Sequence, residues 1–569
     1  MKIFTDLAQI AENKELISSR CEAGKWLSME YTTKLGRGQL LATAENALPQ
    51  PIRLNLNLSG WYRIYIGLFN MRSKNYVYAK LSGDEDVCGI RHSGIGAPPS
   101  WCATEYMEEV FWKCADLTDQ QFILAKPDLH YKSISGIAWI RCEEMTEDEV
   151  ARYRASLDAP NKCVQMHYDC DALFQDNSVD RTLFFSELHR LKNTNVDFLS
   201  LEYSILYDSP DEKTDFLMYD CDRRVKLGRY ERFEDIMKDA LAWAHENGIK
   251  LYATERMSMA RFSAPYFHAC WNKRFVEENP QYYCKTRDGK TVNVCSYAYE
   301  EVRDYVIGNM VRMAELGFDG ISMILHRGIH VAFEAPVLDR FAQLYPDVDP
   351  CTLPITDTRL NGVWCEFMTE FLRSLRAKLD ATFDRHVELN AITAYGIEIA
   401  RRVGLDLETW AREGLVDSIS QGDMELYEEL DGCMSDEDAN LIDLSKYSAV
   451  AQERAIVKRN YGNPEKNCEF IHEFVRLEKT YGVKTYNVLP WVETRPVNVY
   501  REWLEKMTAE GARRFLSFNT CHASWVLPEF YTISHIGNDP GTDASLQNYY
   551  RVLSLERSDI SQYNPNWRG

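Results

Sequence analysis

Long apolar runs are missing from the sequence. No segment offers the roughly 18 uncharged apolar residues that a membrane-spanning helix needs, and the first residues, MKIFTDLAQIAENKELISSR, have no apolar run behind Lys2. We therefore expect neither a signal peptide nor a membrane span, and we predict a cytoplasmic protein with no membrane partner.

Basic segments are missing as well. The 569 residues include 65 Lys and Arg against 86 Asp and Glu, for a net charge of −21. No stretch is dense enough in Lys and Arg to neutralise a row of phosphates. This balance excludes nucleic acid as an expected partner.

Neither a disulfide framework nor a metal motif is present. The 16 cysteines occur singly, without a C-x-x-C pair, which is typical of free thiols in a reducing compartment. Two close pairs, His268 with Cys270 and His326 with His330, are better explained by packing or substrate contact than by zinc binding. We predict no metal ion and no cofactor.

Short strand-like segments fill residues 40–158. Polar and apolar residues alternate there between Gly, Pro and Asp, in the segments 52–58, 61–69, 76–81, 109–117 and 136–142. Such alternation is typical of an antiparallel β-sandwich. An acidic helical stretch then leads to Asp158-Ala159-Pro160, so we predict an accessory sandwich domain over residues 1–158.

From residue 163 onward, apolar segments alternate with amphipathic helices, as in α/β proteins. Eight such segments occur, at residues 163–168, 196–203, 249–253, 318–325, 387–392, 415–420, 483–489 and 515–519. Eight parallel strands close a barrel. An open doubly wound sheet would also alternate, but no Gly-x-Gly-x-x-Gly loop follows the first strand. We predict a (β/α)8 TIM barrel over residues 159–530, with a C-terminal extension, 531–569, that packs on the barrel.

The predicted helices support this interpretation. Apolar stripes precede Gly248 and Gly317, and a third stripe follows Asn361-Gly362, as expected of helices that feed strands. Two connections are unusually long, residues 254–299 and 326–360. Long insertions in such barrels lie at the carboxyl ends of the strands, where substrates bind. The search for catalytic groups therefore concentrates on that end.

Carboxylates are abundant at the predicted strand ends. Glycosidic bonds are cleaved by two carboxyl groups, one of which protonates the leaving oxygen while the other acts as nucleophile or activates water. No Gly-x-Ser-x-Gly nucleophile motif competes with this chemistry. We predict that the catalytic pair comes from Glu202, Glu255, Glu334 and Asp423.

Other side chains at the same end are candidates for substrate contact. Arginines accompany the acids, and a guanidinium beside a carboxylate keeps it ionised, although it can also bind an anionic sugar or form a structural ion pair. Tryptophans in the loops can stack on sugar rings or pack in the core. The predicted substrate contacts are Asp169, Arg256, Trp271, His326, Arg327 and Trp491.

Five segments resemble a known family. They are NVCSYAYEEVR (293–303), ELGFDGISMILHRG (315–328), AFEAPVLDRF (332–341), the helix 364–379 and LDLETWAREGLVDSIS (405–420). Together they resemble the family 10-like glycosyl hydrolase barrels of bacteria over about residues 160–520. The resemblance implies a TIM barrel with hydrolase activity, joined to an accessory module that binds sugar or completes a homo-oligomer.

One position departs from that family. Many relatives have an Asp inside the fourth strand, where this chain has Ile324. The resemblance therefore implies that the role has moved, with Glu334 as the nearest candidate, or has been lost. Asp319 precedes the strand and is expected at the opposite, structural end of the barrel.

The sequence thus predicts a bacterial, intracellular glycoside hydrolase that cleaves a small glycoside or oligosaccharide with two carboxylates at the barrel mouth. Long third and fourth loops favour exo action. A lyase or isomerase, which would need a metal or a Tyr, His or Lys base, stays an alternative. So does a non-catalytic carbohydrate-binding barrel, because Ile324 replaces an acid.

Overall fold

A computed structural model supplies the coordinates of the protein. The structure describes residues 1–43, 47–69, 76–91, 106–126, 135–158, 160–168, 181–202, 233–261, 273–326, 328–422, 424–426, 457–459, 468–489, 497–518, 536 and 550–558.

The N-terminal part forms two antiparallel sheets. One sheet has eight strands and the other four, and apolar side chains from both belong to one buried cluster, among them Ile64 and Val77. The expected antiparallel sheets are confirmed. Their strands along this part of the chain are β1 (Lys2–Phe4), β2 (Ile17–Ser18), β3 (Trp26–Thr33), β4 (Gly36–Thr43), β5 (Ile52–Leu54), β6 (Trp61–Phe69), β7 (Tyr76–Leu81), β8 (Cys88–Arg91), β9 (Tyr106–Asp116), β10 (Phe122–Ala125) and β11 (Ser135–Glu144).

The larger sheet also contains the last described strand of the chain. This strand, Tyr550–Ser558, lies between β3 and β9 and runs antiparallel to both. We expected residues 531–569 to pack on the barrel, and the carbonyl of Ile536 does so, accepting hydrogen bonds from Cys163 and Asn195. Residues 550–558 instead complete the N-terminal sheet.

Eight parallel strands close the barrel, which confirms the predicted fold. Their order around the barrel is their order along the chain, and the first strand pairs with the last. They are β12 (Val164–Tyr168), β13 (Val196–Glu202), β14 (Lys250–Arg256), β17 (Gly320–Ile324), β18 (Glu388–Ile392), β19 (Ser418–Ser420), β22 (Lys484–Val488) and β23 (Phe515–Ser517). Two hairpins lie outside the barrel, β15 (Tyr283–Lys285) with β16 (Thr291–Cys295) and β20 (Met424–Leu426) with β21 (Val457–Arg459), and β24 is the strand Tyr550–Ser558.

Helix α1 (Glu147–Asp158) packs against β6 and β9 of the N-terminal sheet, and the other α-helices of the described residues follow it along the chain. They are α2 (Arg181–His189), α3 (Phe233–Glu246), α4 (Arg274–Glu278), α5 (Glu300–Glu315), α6 (Ala335–Leu344), α7 (Thr358–Thr382), α8 (Ile397–Arg401), α9 (Leu407–Glu413), α10 (Ile471–Tyr481) and α11 (Val497–Ala509). As predicted, Gly248 and Gly317 follow α3 and α5, both with positive φ. Helix α7 starts earlier than its apolar stripe suggested, because Asp357 caps it by accepting from the Arg359 N–H.

The residues that point into the barrel follow the period-two alternation of the strands. In β14 the inward residues include Tyr252, which stacks on Phe198, and Phe198 in turn meets Tyr486 edge-on in the same interior cluster. Gly320 faces the same cluster, since a Cβ there would come within 2.8 Å of the Tyr252 ring. The glycine of the Asp319-Gly320 pair is thus required by the packing of the interior.

None of the helices in the described part of the chain is long and apolar enough to cross a membrane.

Candidate active site

Strand register places Glu202 and Arg256 inside the barrel, at its carboxyl end. Arg256 pairs with Ile324, which belongs to the interior apolar cluster, and Glu202 pairs with Thr254, two residues before Arg256 on the same face. Glu202 is completely buried. Catalytic groups of TIM-barrel enzymes lie at this end of the barrel, so both residues are candidates for catalysis.

The Arg256 guanidinium holds the Glu202 carboxylate. Its Nε lies 2.6 Å from Glu202 Oε1, a distance typical of a charge-assisted hydrogen bond. The second carboxylate oxygen, Oε2, lies 3.9 Å from Nε2 of His167, and His167 is also completely buried. A cation bonded to a buried carboxylate favours its ionised form.

Three rings meet beside this carboxylate. His167 stacks on Phe518 with centroids 4.4 Å apart and planes at 7° to each other, and His326 meets Phe518 edge-on with centroids 4.7 Å apart. Gly422 makes room for this arrangement, since a Cβ there would lie 2.9 Å from the Cβ of His326. The site therefore combines a carboxylate, two imidazoles and an aromatic face.

A ring of hydrogen-bonded polar side chains supports the site from below. Asn390 accepts from Gln165 at 2.9 Å and from Ser322 at 2.7 Å, and donates to Ser418 and Ser420, each at 2.9 Å. All five are buried. Because each buried group has a partner, the ring fixes the strands that carry the mouth residues.

Ile324 occupies the position at which the sequence resemblance led us to expect an acid. It is completely buried in the interior apolar cluster, directly beside Arg256. On the other side of Arg256, strand β13 supplies Glu202. Arg256 is therefore bonded to Glu202 across the strand pair, and the suggestion that Glu334 takes over the role of the missing acid stays a prediction.

Glu255 lies on the outer face of the barrel. It pairs with Met323, which belongs to the cluster between strands and helices. Its Oε1 accepts from Lys273 Nζ at 2.7 Å, and its charge raises the pKa of the buried Tyr297, whose own burial contributes most. Glu255 thus fits an ion pair beneath the third loop rather than the mouth.

Glu334 begins helix α6 and is completely buried. It accepts from the Ser296 hydroxyl and from the Ala332 N–H, at 3.1 Å to Oε1 and 3.2 Å to Oε2. Burial raises the pKa of Glu334, although these hydrogen bonds oppose the shift. All of these partners belong to the third and fourth loops.

The remaining predicted site residues lie outside the described part of the chain: Asp169, Trp271, Arg327, Asp423 and Trp491. Their roles stay predictions. Conversely, the structure adds His167 and Phe518, which the sequence analysis did not select. His167 is a polar residue inside an apolar strand, two positions after the inward Gln165. This period-two spacing of polar residues in the sequence could have indicated that His167 also points into the barrel.

No metal-ligating group was expected from the sequence. Among the described residues, Glu85, Asp86 and His189 form a group whose ligand atoms all lie within 4.8 Å of one another. This group is separate from the mouth residues, since it joins the N-terminal part to helix α2.

Comparison with known proteins gives matches among solved structures alone. No family model matches the sequence, and no curated protein matches it. The PgaB (BpsB) glycoside hydrolase domain from Bordetella bronchiseptica is 11% identical, covering 66% of this chain and 99% of that one, at a TM-score of 0.38. The catalytic domain of β-amylase from Paenibacillus polymyxa is 11% identical, covering 66% and 98%, at 0.39.

An α-galactosidase from Thermus thermophilus is 10% identical and covers 92% of this chain and 94% of its own, at a TM-score of 0.33. All three are glycoside hydrolases by description, and none is described as family 10-like. TM-scores of this size give no information about the chemistry of this chain.

Proposed function

We propose that the protein is a glycoside hydrolase in which Glu202 is a catalytic carboxylate. The observation that carries this proposal is the convergence of Glu202, Arg256 and His167 inside the carboxyl end of a closed parallel barrel. Arg256 favours the ionised carboxylate, which suits a nucleophile or a base that activates water and does not suit a proton donor.

The proton donor is then a second group at the mouth. Asp423, which follows strand β19 in the sequence and belongs to the predicted catalytic pool, is the carboxyl group that we propose for this role, with Asp169 kept as a predicted substrate contact. Phe518, whose ring stacks on His167 and meets His326 edge-on, is the aromatic side chain that we propose to contact the apolar side of a sugar ring. The proposed substrate is a small glycoside or oligosaccharide attacked from its end.

The proposed setting is inside the cell, with a carbohydrate as the partner. Ten described cysteines are free thiols, among them the exposed Cys21, and thiols persist in a reducing compartment.

A second candidate is a sugar lyase or isomerase. The observation in its favour is that two imidazoles, His167 and His326, both contact Phe518, because imidazole is a common proton-transfer base. A lyase would release a product with a new carbon–carbon double bond, and an isomerase would release no new reducing end.

The test is a screen of α- and β-linked aryl glycosides and short oligosaccharides, assayed for released aryl alcohol and new reducing ends. We expect the wild type and Glu334→Gln to release both and Glu202→Gln to release neither. Activity of Glu202→Gln equal to the wild type would contradict the role of Glu202. Unsaturated products would favour the lyase, and binding without any turnover would favour a carbohydrate-binding barrel.

A further inference from the structure

A group of acidic and imidazole side chains lies where the N-terminal sheets meet the barrel. Glu85 and Asp86 belong to the connection between β7 and β8, and His189 is the last residue of helix α2. Nδ1 of His189 is hydrogen-bonded to Asp86 Oδ2 and lies 3.7 Å from Glu85 Oε1. Two separate parts of the fold thus bring three ligand atoms together.

The two carboxylates converge on one nitrogen. Nδ1 of an imidazole carries at most one proton, so it can donate one hydrogen bond and cannot satisfy both acids. A divalent cation in that position would contact all three groups at once. Imidazole nitrogen and carboxylate oxygen are ligands of Zn²⁺ at about 2.0–2.2 Å. The ligand atoms lie within 4.8 Å of one another, so the ion would be admitted by small side-chain movements in which Asp86 and His189 separate and Glu85 approaches.

The surrounding residues restrict the orientation of His189 and are engaged with partners other than the two carboxylates. The His189 ring lies 4.8 Å from Trp243 and 5.9 Å from Phe185, which restricts its orientation. The neighbouring Asp84 is paired with Lys113, with 2.6 Å between Nζ and Oδ1, and Lys80 Nζ binds backbone carbonyls of Asp84 and Glu85. The nearby lysines therefore do not pair with the carboxylates of Glu85 and Asp86.

We propose that Glu85, Asp86 and His189 bind one Zn²⁺ ion across the junction between the N-terminal sheets and the barrel. Three protein ligands leave a coordination position for water. This site is distinct from the mouth residues and does not depend on the proposed hydrolase activity. Its role is to tie the connection between β7 and β8 to helix α2.

The test is a Zn²⁺ titration of the full chain, stripped with a chelator, with bound metal measured by calorimetry and elemental analysis. We expect His189→Ala to bind one Zn²⁺ fewer than the wild type, and Asp86→Asn and Glu85→Gln to bind it more weakly. Loss of an outer-shell partner costs about 10–100-fold in metal affinity, so loss of a direct ligand should cost at least about 100-fold. His472→Ala, which removes an exposed histidine on α10, should bind like the wild type.

Two further measurements keep the result interpretable. Addition of Zn²⁺ should raise the melting temperature of the wild type and of His472→Ala but not that of His189→Ala. Co²⁺ bound at this site should show no thiolate-to-metal charge-transfer absorption, which separates it from binding to free cysteines. Equal stoichiometry in the wild type and His189→Ala would overturn the proposal and leave an ordinary ion pair.

Discussion

The two ends of the barrel use acidic residues in different ways. At the amino end, Asp319 accepts from the Leu251 N–H at 2.9 Å and from His245 Nε2 at 3.1 Å. Asp417 repeats this arrangement two strands later, with Leu389 N–H and His386 Nε2 both at 2.7 Å. Each aspartate precedes a strand and secures the strand before it.

At the carboxyl end, Glu202 contacts side chains instead of backbone. Its partners are a guanidinium and, further away, an imidazole, and it lies inside the barrel. An acid that accepts from backbone N–H groups stabilises the fold, whereas the Glu202 carboxylate, bonded to Arg256, lies on the inner face of the barrel. The contrast separates acids that stabilise the barrel from the acid that we propose for catalysis.

The largest expected effect is at the carboxyl end. Glu202→Gln removes the ionised carboxylate but keeps its shape, and we expect activity to fall by about 10²–10⁴-fold, the range of general acid–base catalysis. The melting temperature should fall as well, since the amide removes the negative charge that the largely buried Arg256 guanidinium contacts. Steady-state kinetics with the best glycoside of the screen and a thermal melt measure both. Glu388→Gln is the matched control.

The next effect is on stability and belongs to the amino end. Asp319→Ala and Asp417→Ala each remove an acceptor of one backbone and one imidazole hydrogen bond. Hydrogen bonds to a charged group contribute about 1.5–3 kcal/mol, so the free energy of unfolding should fall by about that much in denaturant titrations. Activity per folded molecule should stay at the wild-type level. If either aspartate variant lost turnover without losing stability, the structural role assigned to the acids at the amino end would be contradicted.

A smaller effect concerns acid stability. Burial disfavours ionised Glu388, but hydrogen bonds from Lys250 and Tyr252 and the Lys250 charge outweigh it and lower its pKa. A lowered folded pKa contributes stability above the unfolded pKa of about 4.3, and that contribution is lost as pH falls through the folded pKa. As the pH is lowered below about 4.3, the melting temperature of Glu388→Gln should therefore fall less steeply than that of the wild type. Parallel curves would contradict this assignment.

The smallest effect is expected at Glu334. Its pKa is raised by burial, so the folded state disfavours its ionisation, and stability should increase as pH falls through the raised pKa. Glu334→Gln resembles the protonated acid. It should leave activity unchanged and should not lower the melting temperature at neutral pH. If Glu334→Gln lost as much activity as Glu202→Gln, Glu334 would again be a candidate for the catalytic pair.

The barrel could be predicted from sequence because its strands are apolar and its helices amphipathic. The segment 196–203 matches β13 (Val196–Glu202) within one residue. The N-terminal sheet was harder, because the hairpin of β3 and β4 lies before the segment in which we expected strands, and β24 is 434 residues beyond the end of β9, its partner. Pairing across such a separation leaves no local pattern.

The site was predicted less completely, since nearness to a strand end does not tell which face a residue occupies. Glu255 and Arg256 are adjacent in sequence, yet they point to opposite sides of β14, and only strand register separates them. Selecting residues at or beyond the strand ends likewise missed His167, which lies one residue before the end of β12.

The most direct test is a crystal structure of Glu202→Gln with a substrate of the wild-type enzyme. We predict that the sugar ring contacts Phe518, with the anomeric carbon about 3–3.5 Å from the residue 202 side chain for direct attack, or one water molecule away for an inverting reaction. A sugar bound with its scissile bond at Glu255 or Glu334, or outside the carboxyl end of the barrel, would contradict the assignment of Glu202.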